Sequence, residues 1–214
     1  MTTPAVRGLV LASGSPRRCA LLGEWGVRFD VVVSDVPETV DAGLSPARQA
    51  VALAERKAWA VASTVQNGLI LGADTIVVLD NAILGKPAHD EDAVRMLGRL
   101  SGREHRVITG LALVDAASGV SRTSSVVSTV RLGALNDDEI ERYVASGEPR
   151  DKAGAYAIQG LGAALIAGLD GCYTNVVGLP LCETASLLTA AGLVVSATPP
   201  VCRLPDGTPC PRLV

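Results

Sequence analysis

Short apolar runs alternate with helix-forming stretches along this chain, and the junctions carry residues that start and stop helices. "GLVLA" reads as a buried strand. It gives way to "SPRRCALLGEWG", where Ser15 caps, Pro16 is the first helical residue and Gly26 is the stop. "FDVVVS" is a second strand, and "SPARQAVALAERKAWAVAS" repeats the Ser-Pro start at Ser45 and Pro46 with an alanine-rich body. "LILGADTIVVLDNAILGKP" predicts apolar strands interrupted at Asp74-Thr75 and turning at Asp80-Asn81, followed by a helix over residues 90–100. "HRVITGLALVD" and "SRTSSVVSTVRL" bracket "AASG" as a hairpin, which sets antiparallel pairs beside parallel ones. Asn136 caps "DDEIERYVAS", "AYAIQ" reads as a further apolar strand, and "PLCETASLLTAAG" is a closing helix after Pro180. The pattern predicts an α/β fold, a mixed twisted sheet with flanking helices.

At 214 residues the chain can bury a large core as one domain or one two-lobed domain. Residues 1–198 are assigned to that domain. Residues 199–214, "PPVCRLPDGTPCPRLV", read as a loosely held extension in which Cys202 and Cys210 could pair under oxidation, with no role assigned. A net charge of −3 argues against stable nucleic-acid binding or a broad basic surface for acidic membranes, so any anion site is local. The early run Leu9–Ala12 is far too short for a signal segment and no stretch approaches a membrane span, making the cytoplasm the default location. The five cysteines form no C-x-x-C pair and there are two histidines, so neither a disulfide framework nor a zinc site is indicated.

Several positions carry chemistry. A strand feeding a helix through "SGSPRR" gathers backbone N–H groups, the Ser13 and Ser15 hydroxyls and a positive helix end, the physics of phosphate binding. Arg17 and Arg18 add forked donors that match phosphate oxygens. On spacing alone, a capped helix with two solvated arginines is the commoner reading. Asp74 is sharper: a carboxylate with apolar runs on both flanks must be paired, metal-bound, tied to backbone donors or poised at a crevice. Thr75 beside it fits an ordinary strand as well as a site. Lys57 in "AERKAWA", Lys86 in "LGKP", Glu38 in "VPETVD" and Gln159 in "AYAIQG" are each, in isolation, ordinary solvated or bridging residues. "GLGAAL" lacks the last small residue of a dinucleotide fingerprint, "GKP" lacks a Walker A context, and no G-x-S-x-G elbow is present. His89 and His105 read as surface or structural.

The order in which the pieces recur changes the weighing. "LASGSPRR…LL", "PET", "AERKA", "LGADTIVVLD…LGKP", "LSGREHRVITGLALV", "EPRDKAGAYAIQG" and "NVVGLPL", from about Leu9 to Leu188, together resemble the Maf family of nucleoside triphosphate pyrophosphatases. The resemblance implies an elongated two-lobed fold around a central cleft, related to inosine-triphosphate pyrophosphatase, and a homodimer. It implies cleavage of a nucleoside triphosphate between the α and β phosphates with a divalent cation, Mg²⁺ or Mn²⁺. By the same resemblance Asp74 is the proton acceptor and Ser13, Arg17 and Arg18 lie in the phosphate loop. Lys57 and Lys86 neutralise the triphosphate, and Glu38, with Asp74, supports the metal or its water. "SPRR", "ADT" and "IQG" match the dTTP/UTP-cleaving pattern, which implies dTTP, UTP and modified pyrimidine nucleotides as substrates and makes Arg17, Thr75 and Gln159 the expected contributors to base choice, while Arg18 is expected to act chiefly on phosphate. Cys172 stands where the family often has serine, and would be redox-sensitive only if exposed. Two other functions stay open at this stage: a nucleotide-binding regulator of cell division without turnover, and a pyrophosphatase for modified purine nucleotides.

Overall fold

In the computed structural model, which describes residues 8–39, 41, 43–193 and 195, the run around Asp74 is one unbroken strand, Leu69–Leu79. The expected interruption is absent. Period-two alternation places Ile70, Gly72, Asp74, Ile76 and Val78 on one face and Leu71, Ala73, Thr75 and Val77 on the other, so the acid and the threonine point to opposite sides of the sheet. The strand keeps its acid because a lysine meets it there, as described below.

The elements in chain order are β1 (Leu9–Leu11), α1 (Pro16–Glu24), β2 (Phe29–Val31), α2 (Pro46–Ala62), β3 (Leu69–Leu79), β4 (Ala82–Leu84) and α3 (Asp90–Leu100). They continue as β5 (Glu104–Asp115), β6 (Ser121–Leu132), α4 (Asp137–Ala145), β7 (Ile166–Asp170), α5 (Tyr173–Val177) and α6 (Leu181–Ala190). The helix starts follow local chemistry. Ser45 Oγ accepts the Arg48 N–H, and Asn136 and Glu139 form a reciprocal capping box. His89 caps α3 through Nδ1, a structural use of that histidine. Ser15 makes no side-chain cap; instead its own N–H donates to Ser13 Oγ at 3.3 Å. Asp80 and Asn81, both at positive φ, make the tight turn from β3 into β4. "AYAIQ" is not a strand: Ala153–Ala155 and Gly160–Leu165 are 3₁₀ turns with an irregular segment between them, so Gln159 sits on a loop. The short helix α5 is absent from the sequence reading, since "TNVV" is β-branched and polar and its helical turn is fixed by tertiary contacts. The extension at 199–214 lies outside the described residues.

The seven strands form one mixed sheet in the order β2-β1-β3-β5-β6-β7, with β4 also on β3. β5 covers one edge of β3 from Leu69 to Val78. The other edge is shared: β1 runs parallel along Leu69–Leu71 and β4 runs antiparallel along Val77–Leu79. Between them Gly72–Ile76 has no neighbouring strand among the described elements, so the sheet opens into a cleft at Asp74. Around this split the core divides. Leu11, Leu22, Trp25, Leu71, Leu179 and Leu188 pack β1, β3 and β5 against α1, α5 and α6, while Leu79, Leu97, Leu100, Ile140 and Tyr143 pack the far end of the sheet against α3 and α4.

α2 lies across the opposite face, unusually close. A Cβ at Gly72 would come 2.2 Å from the Ala54 carbonyl oxygen, and one at Gly110 would come 2.3 Å from the Ala50 carbonyl carbon. Gly110 is the direct cross-strand partner of Asp74, so the two glycines flank the acid and let the helix backbone down onto it. Ala50, Ala54 and Ala58 supply the matching small side chains. Because backbone atoms block the new Cβ, Gly110→Ala should lower stability in urea unfolding by about 2 kcal/mol or more. Gly98→Ala, in the exposed interior of α3 with open space around it, should be neutral or stabilising by up to about 1 kcal/mol. Equal effects at the two sites would remove the argument for a tightly seated α2.

Candidate active site

The split in the sheet is the mouth of a cleft of about 460 Å³. Ser13, Arg17, Arg18, Glu38, Lys57, Asp74, Thr75, Lys86 and Gln159 all line it, although they come from α1, α2, β3 and four separate loops.

At its floor, Lys57 Nζ lies 2.6 Å from Asp74 Oδ1 and 2.6 Å from Glu38 Oε1. Lys57 and Asp74 are buried at 8% and 7% exposure, whereas the Glu38 side chain is half exposed. The Lys57 hydrogen bond, with its charge and that of Lys86, holds the Glu38 carboxyl below the usual glutamate range against the opposing effect of burial. Lys86 Nζ stands 3.7 Å from Glu38 Oε2 on the open side. In isolation Lys57 reads as a solvated residue; the signal that it is buried is its place in the stripe Ala50, Leu53, Ala54, Ala58, Val61 that faces the sheet.

Arg18 is the second anchor. Its Nε donates to the Gly178 carbonyl at 2.8 Å, one NH to Ser13 Oγ at 3.0 Å and the other to Thr75 Oγ1 at 3.2 Å. Burial draws this guanidinium below its ordinary value while Asp74 opposes the change. Three of a guanidinium's five N–H groups are thus engaged, and two remain for a ligand. Thr75 Oγ1 meets Thr109 Oγ1 at 2.9 Å, and Thr109 is held by buried Asn175, whose amide also reaches Val107 O and Ser128 Oγ. Arg18 therefore rests on a polar network that crosses the sheet, and solvated arginines are not the outcome at this position.

Arg17, one residue earlier, is half-buried and bonds Asp151 at 3.1 Å across the cleft. Asp151 also takes Lys152 Nζ at 2.6 Å, and both line the cleft. Sequence alone does not single out these two residues; the signal for them is the charge packed into "EPRDKAG" beside "AYAIQG". Gln159 is exposed on its loop beside Tyr173. His105 lies outside the floor, buried against the cleft-lining Tyr156 with Nε2 2.6 Å from its hydroxyl, and burial pulls its imidazole down to about 4. Cys172 is 2% exposed, so the condition for its redox sensitivity is not met.

A site that brings five cations and three carboxylates to one crevice suits a polyanion that must be held and then attacked. The family model for Maf-like proteins matches residues 8–191. The chain belongs to the Maf family. This Maf chain is 50% identical over 187 residues, 87% of its own length and 98% of the relative's, to a dTTP/UTP pyrophosphatase of Pelotomaculum thermopropionicum. It is 52% identical over 184 residues, 86% of its length and 96% of the relative's, to a dTTP/UTP pyrophosphatase of Geobacter metallireducens. A dTTP/UTP pyrophosphatase of Caldicellulosiruptor saccharolyticus is 42% identical over 87% of the Maf chain and 96% of its own length. No helix among the described residues is long and apolar enough to cross a membrane.

The buried ion pair makes a direct prediction. Lys57→Met strands the Asp74 carboxylate and should cost about 3 kcal/mol in denaturant unfolding. Adding Asp74→Asn to Lys57→Met should return part of that loss, because the uncompensated charge is gone. Additive losses in the double variant would show that the two side chains are not energetically coupled.

Proposed function

We propose that the cleft binds a nucleoside triphosphate, dTTP and UTP above others, and hydrolyses it to the monophosphate and pyrophosphate. The observation that carries this reading is the convergence of Arg17, Arg18, Lys57 and Lys86 with the Asp74 and Glu38 carboxylates in one cleft. The about 50% identity to dTTP/UTP pyrophosphatases supports the choice of substrate.

Asp74 orients a water and takes its proton as the water oxygen bonds to the α-phosphorus. The bond from that phosphorus to the α–β bridging oxygen breaks, and its electron pair leaves with pyrophosphate. Lys57 sits against Asp74 Oδ1 and fixes the carboxylate for this role. Arg18 and Ser13 hold phosphate oxygens at the α1 end, and Lys86 holds them at the β4 end. Arg17 must exchange its Asp151 partner for substrate. Gln159 and Thr75 contribute to recognition of the base.

Mg²⁺ or Mn²⁺ fits this donor set. Among the described residues no group of three or more His, Cys, Asp or Glu could hold a metal ion, and such ions bind readily through one or two carboxylates, retained waters and substrate phosphates. Asp74 and Glu38 are the two carboxylates that would hold it. When bound, the cation offsets negative charge on the phosphoryl oxygens. A cytoplasmic location and a homodimer belong to the same reading, the latter to be checked by light scattering.

A regulator that binds nucleotide without turnover would have no use for a proton acceptor at Asp74. Asp74→Asn should reduce pyrophosphate release from dTTP by about 10²-fold or more while dTTP still binds, measured by calorimetry beside a release assay. Unaltered turnover would reject Asp74 as the base. A wild-type chain with no release from any triphosphate in Mg²⁺ or Mn²⁺ would leave the regulator, and preference for modified purine triphosphates would favour the other alternative.

A further inference from the structure

Gln159, the residue expected to read the base, lies on an exposed loop, yet its flanks are fixed from behind. Ala157 N–H donates to Tyr143 Oη at 3.1 Å, two residues before it. Two and three residues after it, Leu161 N–H donates to Glu148 Oε2 and Gly162 N–H to Glu148 Oε1, both at 3.0 Å. Tyr143 Oη in turn donates to Glu148 Oε1 at 2.9 Å and closes the ring. Gly160 adopts a positive φ of 63°, and a Cβ there would meet Glu148 Oε2 at 2.6 Å, so the loop backbone lies directly on the carboxylate. At Gly162 a Cβ would come 2.6 Å from Tyr143 Oη.

Neither Tyr143 nor Glu148 lines the cleft. Tyr143 is a buried residue of α4 within the apolar cluster beneath the loop, which anchors the clamp in the core. Burial would raise the Glu148 carboxyl, but the Gly162 and Leu161 amides and the Tyr143 hydroxyl outweigh it and hold the acid below its usual range. Three donors therefore converge on a group with acceptors alone.

We propose that Tyr143 and Glu148 form a clamp that positions Gln159 and so sets the choice of base, an inference that rests on the pyrophosphatase reading above. They are positioning residues. Their effect on substrate passes through the Ala157–Gly162 backbone, because a hydrogen-bonding site rejects the wrong base only when its groups are held where the right base can pair with them. Glu148→Gln turns one acceptor into an NH₂ that must face a donor, and so releases one side of the loop. Tyr143→Phe keeps the ring in the core and removes the hydroxyl that joins the two sides.

The test is kcat and KM for pyrophosphate release from dTTP, UTP, CTP and GTP in wild type, Glu148→Gln, Tyr143→Phe, Gln159→Ala and the Glu148→Gln/Gln159→Ala double variant. In Glu148→Gln the preference for dTTP and UTP over CTP and GTP should fall about tenfold, chiefly through KM for the preferred pair, with release from CTP and GTP changing less than about twofold. Tyr143→Phe should move the ratio the same way by a smaller factor, and decides the matter alone if Glu148→Gln does not fold. The double variant should lose no more preference than Gln159→Ala, since both changes act through one residue. An unchanged ratio, a parallel loss on all four nucleotides, or additive losses in the double variant would overturn the clamp while the pyrophosphatase reading stands. Release by wild type with no preference among the four would overturn the substrate reading and the clamp together.

Discussion

The architecture of the cleft depends on one ammonium group. Lys57 enters the sheet face beside Asp74 and also reaches Glu38 on the loop after β2, so one buried cation ties a helix, a central strand and a loop at a single point. It can do so because Gly72 and Gly110 admit the α2 backbone to the sheet on either side of the acid. A buried carboxylate without that partner would be too costly in the middle of an apolar strand, and the partner without the glycines would stand too high to reach it. The gap left between β1 and β4 then makes this pair the floor of a cleft rather than part of a sealed core.

The same split explains how the two sides of β3 divide the work. On the α2 face, Asp74 meets Lys57, which also holds the loop acid Glu38. On the other, Thr75 supports Arg18, which also takes the Gly178 carbonyl and Ser13. Consecutive residues of one strand thereby serve two separate networks, one suited to handling a proton and the other to holding an anion. Arg17 differs from Arg18 because it looks across the cleft to Asp151, whereas Arg18 is fixed to its own side.

Much of the fold was legible because local signals agreed with tertiary demand. Ser15-Pro16, Ser45-Pro46 and Asn136 mark helix starts at the observed positions, and Asp80-Asn81 makes the expected turn. The misreadings have physical causes. Asp74-Thr75 looked like a break because sequence does not show Lys57 approaching from 17 residues away, and the loop carrying Gln159 looked like a strand because its shape is imposed by Glu148 and Tyr143. The candidate site residues were named through family motifs, since Lys57, Lys86, Glu38 and Gln159 are each unremarkable in local context. Asp151 and Lys152 are unremarkable for the same reason: their place in the cleft follows from segments distant in sequence meeting there, which no short window contains.

Water directed to the α-phosphorus of the nucleotide marks one product and not the other, which hydrolysis of dTTP in water enriched in ¹⁸O, with mass analysis of both products, reads out. The label should appear in the thymidine monophosphate and be absent from pyrophosphate. Label in the pyrophosphate, or release of orthophosphate in its place, would contradict the account.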